Sequence, residues 1–209
     1  MAVALIKVSI LLILLVFCLY LNMSLYLTAI LPPAPLAEEI DEIRKEISEK
    51  YRVYKALRPP VHVTLFRPVN IDDDIEKYLI QWLKPVCHLH NPFEQQLENY
   101  DSFNNHTVYI RVPKSALLQA LQKDISAVFN KNKIDPPEMK GNTSFNPHVT
   151  VAYRDVSPEV FAGIWEEYKN KKFRRSFTID KFTLLKHDGH RWNILKEFPL
   201  QKPEILQLF

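Results

Sequence analysis

Pro60-Val61-His62-Val63-Thr64-Leu65-Phe66-Arg67 and Pro147-His148-Val149-Thr150-Val151-Ala152-Tyr153-Arg154 carry the same short phrase: His-Val-Thr and an aliphatic residue, entered through proline and left through arginine. The two histidines lie 86 positions apart. In a strand, alternation sends His and Thr to one face and the valines to the other. Same-face neighbours stand roughly 6.5–7 Å apart, so an imidazole and a hydroxyl at that spacing reach one phosphate-sized group. Two such strands facing across a cleft supply two imidazoles, as in-line acid–base chemistry at phosphorus requires. One H-V-T is an ordinary strand tripeptide; its recurrence in matching context is the signal.

Working outward from the motifs, residues 25–31 read as a strand ended by Pro32-Pro33. A helix starts at Pro35, with Leu36, Ile40, Ile43, Ile47 and Tyr51 inward and a solvated face rich in Glu, Lys and Arg. The first motif strand, 61–66, follows Pro59-Pro60. Asp72 to Asp74 cap a helix carrying Ile75, Leu79, Trp82 and Leu83. Strands at 93–100 and 107–112 flank a polar turn at 101–105. A helix over 114–130 turns Leu117, Leu118, Leu121, Ile125, Val128 and Phe129 inward. Residues 131–146 have no periodicity and read as a lid, a binding loop or a disordered connector. After the second motif strand, 147–153, comes a helix capped by Ser157 with Pro158 at its first position. Val160, Phe161, Ile164, Trp165 and Tyr168 form its inward face. A hairpin closes the chain, 176–186 and 191–200 joined at Asp188-Gly189. This order gives two similar halves, each with one motif. The expected fold is α+β and bilobal: two pseudo-symmetric, mostly antiparallel sheets flanking a central cleft, with helices on the outer faces.

Composition narrows the chemistry. At 209 residues the chain is long enough for one well-cored domain or two small lobes. Its net charge of +3 does not argue for duplex DNA, but permits a small or single-stranded anion held by a few cations. Only 3 glycines are present, and no Gly-rich phosphate loop exists. Cys18 and Cys87 form no C-x-x-C pair, so a disulfide framework is not expected. Residues 1–22 are strongly apolar and stand as a separate N-terminal segment. They read as a membrane anchor, a cleaved signal, or an upstream artefact with translation starting at Met23. The expected location is cytoplasmic in the last case and single-pass membrane-anchored in the first.

The paired motifs make the chain resemble the 2H phosphoesterase superfamily, which includes RNA 2′,3′-cyclic phosphodiesterases and 2′-5′ RNA ligases. That family's two His-x-Thr/Ser segments match His62, Thr64, His148 and Thr150 position by position. The resemblance covers about residues 25–200, including the closing Arg-Trp…Phe-Pro-Leu strand, and places the domain at 25–203. Typical members begin at the first strand, near Leu25, which favours the artefact reading of residues 1–22. The resemblance implies a metal-independent phosphodiesterase that needs no cofactor. It acts on cyclic or related phosphodiester bonds of RNA ends or small cyclic nucleotides, with His148 as base and His62 as acid. The threonine hydroxyls would donate to non-bridging oxygens. Ligation through 2′-5′ links by the same residues, and a non-catalytic RNA-end or nucleotide-binding module, are the alternatives. A membrane-anchored interaction protein rests on the apolar segment alone. A monomer is expected.

Four further residues are candidates for substrate binding. Arg67 and Arg154 suit a phosphate clamp. Phe66 shares the His62 face under strict alternation and suits stacking on a base. Tyr153 falls on the face opposite His148 under the same rule, where core packing competes with a binding role. His88-Leu89-His90 lacks a third metal ligand, and no metal site is expected. His187 and His190 flank the hairpin turn and are expected to face solvent. Asn-x-Ser/Thr at Asn22, Asn105 and Asn142 is read as chance.

Overall fold

The uncharged run from Met23 to Ile30 forms β1 (Met23–Ile30), a strand flanked on both sides and buried on both faces from Tyr26 onward. The computed structural model describes residues 23–103, 105–134 and 145–201. Within them β1 is followed by α1 (Ala34–Tyr51), β2 (Val63–Asp72), α2 (Glu76–Cys87), β3 (Phe93–Phe103) and β4 (Thr107–Arg111). The second half supplies α3 (Ala116–Lys131), β5 (His148–Ala152), α4 (Pro158–Tyr168), β6 (Arg174–Ile179), β7 (Lys181–His187) and β8 (Trp192–Pro199). The three readings of residues 1–22 lie outside the described residues, as does most of the 131–146 connector. Among the described residues no helix is long and apolar enough to cross a membrane.

Caps and turns follow the local chemistry. Ser115 and Ser157 accept the Leu118 and Val160 N–H groups at the starts of α3 and α4. Asp72 accepts the Asp74 N–H ahead of a short 3₁₀ turn that leads into α2. The β7–β8 turn is the predicted one: Gly189 has φ 94°, and Asp188 Oδ1 accepts the His190 and Arg191 N–H groups.

The strands form two four-stranded sheets, ordered β2-β1-β7-β8 and β5-β4-β3-β6, with every pairing antiparallel. The fold is α+β, as expected, but the sheets do not follow the halves of the sequence. The β3–β4 hairpin of the first half joins the second motif strand, and the β7–β8 hairpin of the second half joins the first. Helices are exchanged likewise: α1 packs on β5, and α3 packs on β2. One apolar core spans both sheets, while Leu27, Ala29 and Leu185 cluster on the other face of β1 with Leu31 and Trp192.

Four sequence expectations need correction. The stretch 176–186 is two strands in different sheets, divided at Asp180, because no Gly or Pro marks the crossing. The polar turn at 101–105 starts later, since β3 continues to Phe103 through a bulge where Asn99 has φ 52°. Leu117 is 54% exposed on the outer side of α3. Arg44, assigned to the solvated face of α1, is 2% exposed. It follows Ile40 by four residues and precedes Ile47 by three, so it lies within the apolar stripe.

Candidate active site

Val63, Leu65, Val149 and Val151 are all within 2% of complete burial, while His62, Thr64, His148 and Thr150 are half-buried. Alternation therefore works as read from the sequence, and both His-x-Thr pairs face the same space. Each motif strand lies at one end of its sheet, and β2 and β5 come into contact with each other. All four residues line one cleft of about 540 Å³, a size suited to a nucleotide-scale ligand.

The two imidazoles are held identically. His62 Nδ1 lies 2.8 Å from the Pro60 carbonyl, and His148 Nδ1 lies 2.7 Å from the Asn146 carbonyl. A carbonyl only accepts, so each Nδ1 carries the proton and each neutral ring keeps Nε2 bare. Burial pushes the His62 imidazole down to about 4, against the pull of its bond to Pro60; the charges of Arg44 and His148 lower it further. His148 is lowered by burial too, partly offset by its bond to Asn146. Rings wall it on two sides, Tyr109 at 5.0 Å and Phe103 at 5.3 Å between centroids.

Of the four other candidates, Tyr153 and Arg154 line the cleft. Strand β5 ends at Ala152, and Arg154 turns left-handed at φ 72°, which releases Tyr153 from alternation. The Arg154 guanidinium then lies 5.1 Å over the Tyr153 ring. Neither Phe66 nor Arg67 is among the described residues lining the cleft. Phe66 is instead buried, stacked on Phe129 of α3 with centroids 3.8 Å apart. The reason is a bulge: Ala29 pairs with Thr64 and Thr28 with Phe66, so Leu65 is skipped and the alternation flips. Arg67 Nη1 donates to the Pro68 carbonyl at 3.5 Å.

Other histidines depart from expectation as well. His187 lines the cleft, packed edge-on against Trp192 at 5.1 Å, whereas His190 is exposed as read. His90 is buried and bonds Asp124 at 2.9 Å. Among the described residues no three His, Cys, Asp or Glu side chains gather as metal ligands.

Sequence reasoning missed Arg44, Lys55, Arg58 and Trp192, all of which line the cleft. Arg44 Nη1 bonds Asp41 at 2.8 Å, and Nη2 donates to the Pro59 carbonyl at 2.9 Å. It thereby fixes the Pro59-Pro60 turn on which His62 hangs. Its place inside the α1 apolar stripe was the available signal. For Lys55 and Arg58 the only signal was their position just before Pro59-Pro60.

A model of the 2′-5′ RNA ligase superfamily matches residues 32–191. A protein of Bacillus cytotoxicus named "Putative phosphoesterase" is 27% identical over 176 residues, spanning 83% of this chain and 95% of that protein. One of Bacillus pumilus with the same name is 26% identical, over 78% of this chain and 92% of its own length. Among solved structures, LigT of E. coli in apo form superposes with a TM-score of 0.59 at 20% identity, covering 86% of this chain and 99% of LigT. LigT complexed with 3′-AMP superposes at 0.58 with 18% identity, over 86% and 99% of the two chains. At these identities the structural likeness speaks for the fold alone.

Proposed function

This chain belongs to the 2′-5′ RNA ligase superfamily, and on that premise we propose that it is a metal-independent phosphodiesterase acting on 2′,3′-cyclic phosphates of RNA ends or nucleotides. The observation that carries this reading is the pair of imidazoles on separate sheets, each with Nδ1 tied to a carbonyl two residues upstream and both lining one cleft. The relatives' name, phosphoesterase, and the 3′-AMP held by LigT support the same substrate class.

Hydrolysis needs a base and an acid. One bare Nε2 takes a proton from water as the water oxygen bonds to phosphorus. The opposite ring, protonated at Nε2, gives its proton to the ribose oxygen as the bond between phosphorus and that oxygen breaks. A phosphomonoester and a free ribose hydroxyl result, and the two rings exchange protonation states. Thr64 and Thr150 donate to the non-bridging oxygens, where charge builds in the transition state. The residues' environments favour His62 as base and His148 as acid, the reverse of the order implied by resemblance. His62 is disfavoured as a cation by burial and by the neighbouring Arg44 charge, while His148 lacks that second influence. Bound phosphate supplies the negative charge that lets His148 protonate near neutral pH.

Incubation with adenosine 2′,3′-cyclic phosphate in EDTA, read by chromatography, tests the activity. The 2′- or 3′-monoester is expected, and persistence of the cyclic compound contradicts the reading. Roles are separated by a diester with a p-nitrophenolate leaving group, which needs no acid. His148→Ala should recover much of its rate on that substrate and His62→Ala should not; the converse pattern restores the order implied by resemblance.

A further inference from the structure

We infer that one rim of the cleft is a second anion subsite, formed by Lys55, Arg58 and Arg154, which takes an additional phosphate of a substrate whose reacting phosphate sits at the two His-x-Thr motifs. The inference rests on the phosphodiesterase reading for the position of that first phosphate.

Charge is the first argument. Arg44, Lys55, Arg58 and Arg154 all line the cleft, and among the described residues no carboxylate does. A cyclic phosphodiester brings one negative charge, which the protonated histidine and the two threonine hydroxyls of the motifs answer, while the buried Arg44 is already paired with Asp41. Lys55, Arg58 and Arg154 are left, all exposed, and among the described residues none forms an ion pair. Cations without a carboxylate partner around a concave site attract a ligand with more than one phosphate.

The second argument is placement. Asp155 Oδ2 accepts the Tyr54 and Lys55 N–H groups at 2.7 and 3.0 Å, which ties the turn after β5 to the 3₁₀ turn (Lys55–Leu57) before β2. Arg154 is the chain neighbour of Asp155, and the Arg58 N–H bonds the Lys55 carbonyl at 3.4 Å. The three cations are thus gathered at the junction of the two sheets, although 99 positions separate Lys55 from Arg154. Arg154 holds a left-handed φ of 72°, a conformation costly for a non-glycine residue and kept only where surrounding contacts enforce it. Asp155 directs Oδ2 at the Tyr54 and Lys55 N–H groups and keeps Oδ1 buried without a hydrogen-bond partner, and among the described residues no ion pair joins it to Arg154.

The ligand chemistry is a ribonucleotide carrying a phosphate besides the cyclic one. A terminal 5′-phosphate and an internucleotide phosphate both fit this description. Three substrates separate them: adenosine 2′,3′-cyclic phosphate, its 5′-phosphorylated form, and a diadenosine ending in a cyclic phosphate. In wild type the 5′-phosphorylated or the dinucleotide substrate should have a kcat/KM about tenfold above the plain nucleoside compound, as a few exposed charge contacts give. K55A/R58A should bring that ratio close to one, as should R154Q, with unchanged circular dichroism. Equal kcat/KM on all three substrates in wild type, or a ratio that survives both variants, overturns the subsite. Calorimetric titration with adenosine 3′,5′-bisphosphate against 3′-AMP reads the subsite without turnover. Tighter binding of the bisphosphate, lost in K55A/R58A, supports the subsite even if the phosphodiesterase reading fails. Equal affinities overturn it.

Discussion

His62 links stability to pH. Its imidazole is pushed down to about 4 from 6.5, so an unfolded chain binds this proton at a pH where the folded chain does not. The stability involved is complete above about pH 6.5 and is lost as pH falls toward 4. It amounts to about 3 kcal/mol at most, at ~1.36 kcal/mol per pH unit. His148 acts in the same direction. Urea unfolding at several pH values should show a flatter loss of stability for His62→Gln than for wild type between pH 6.5 and 4.5. Parallel curves would mean that the ring is not desolvated. Arg44 gives a second prediction at this scale. Arg44→Met keeps the volume but removes the Pro59 bond, at a cost of about 1–3 kcal/mol, and removes a charge that holds His62 down. The acid limb of its pH–rate profile should therefore move to higher pH; an unmoved limb would confine Arg44 to packing.

Strands β2 and β5 present one imidazole and one hydroxyl each, and the hydroxyl does not titrate. Thr64→Val and Thr150→Val should each lower activity ~10²-fold, by analogy with loss of an oxyanion donor, without shifting the pH optimum. Full activity in either variant would place that hydroxyl outside the reaction. The same strands show how far local pattern can be read. His62, Thr64, His148 and Thr150 were legible because period-two alternation holds across three residues. Phe66 was not, because the bulge at Leu65 answers to pairing with β1, a partner more than thirty positions upstream. The serine caps and the Asp188-Gly189 turn were legible, being chemistry within four residues. Arg44 was hidden by its type: arginine is commonly solvated, and only its place in the helical stripe indicates burial.

Across the whole molecule, the exchange of hairpins and helices between sheets brings the two motifs together. Sequence order suggested two contiguous lobes, because nothing local tells β6 from β7 or says which sheet a hairpin will join. The exchange matters for function. A motif strand is backed by a helix from the other half, as Phe66 on Phe129 shows, so the two histidines are set by one shared core and not by two independent lobes. The central claim is that both imidazoles act in one reaction. The most direct test is the initial rate of adenosine 2′,3′-cyclic phosphate hydrolysis by wild type, His62→Ala and His148→Ala in EDTA. Measurable turnover by wild type and a ~10²–10⁴-fold loss in each variant, with the circular dichroism spectrum preserved, is the predicted result. Near-wild-type turnover by either variant would contradict it.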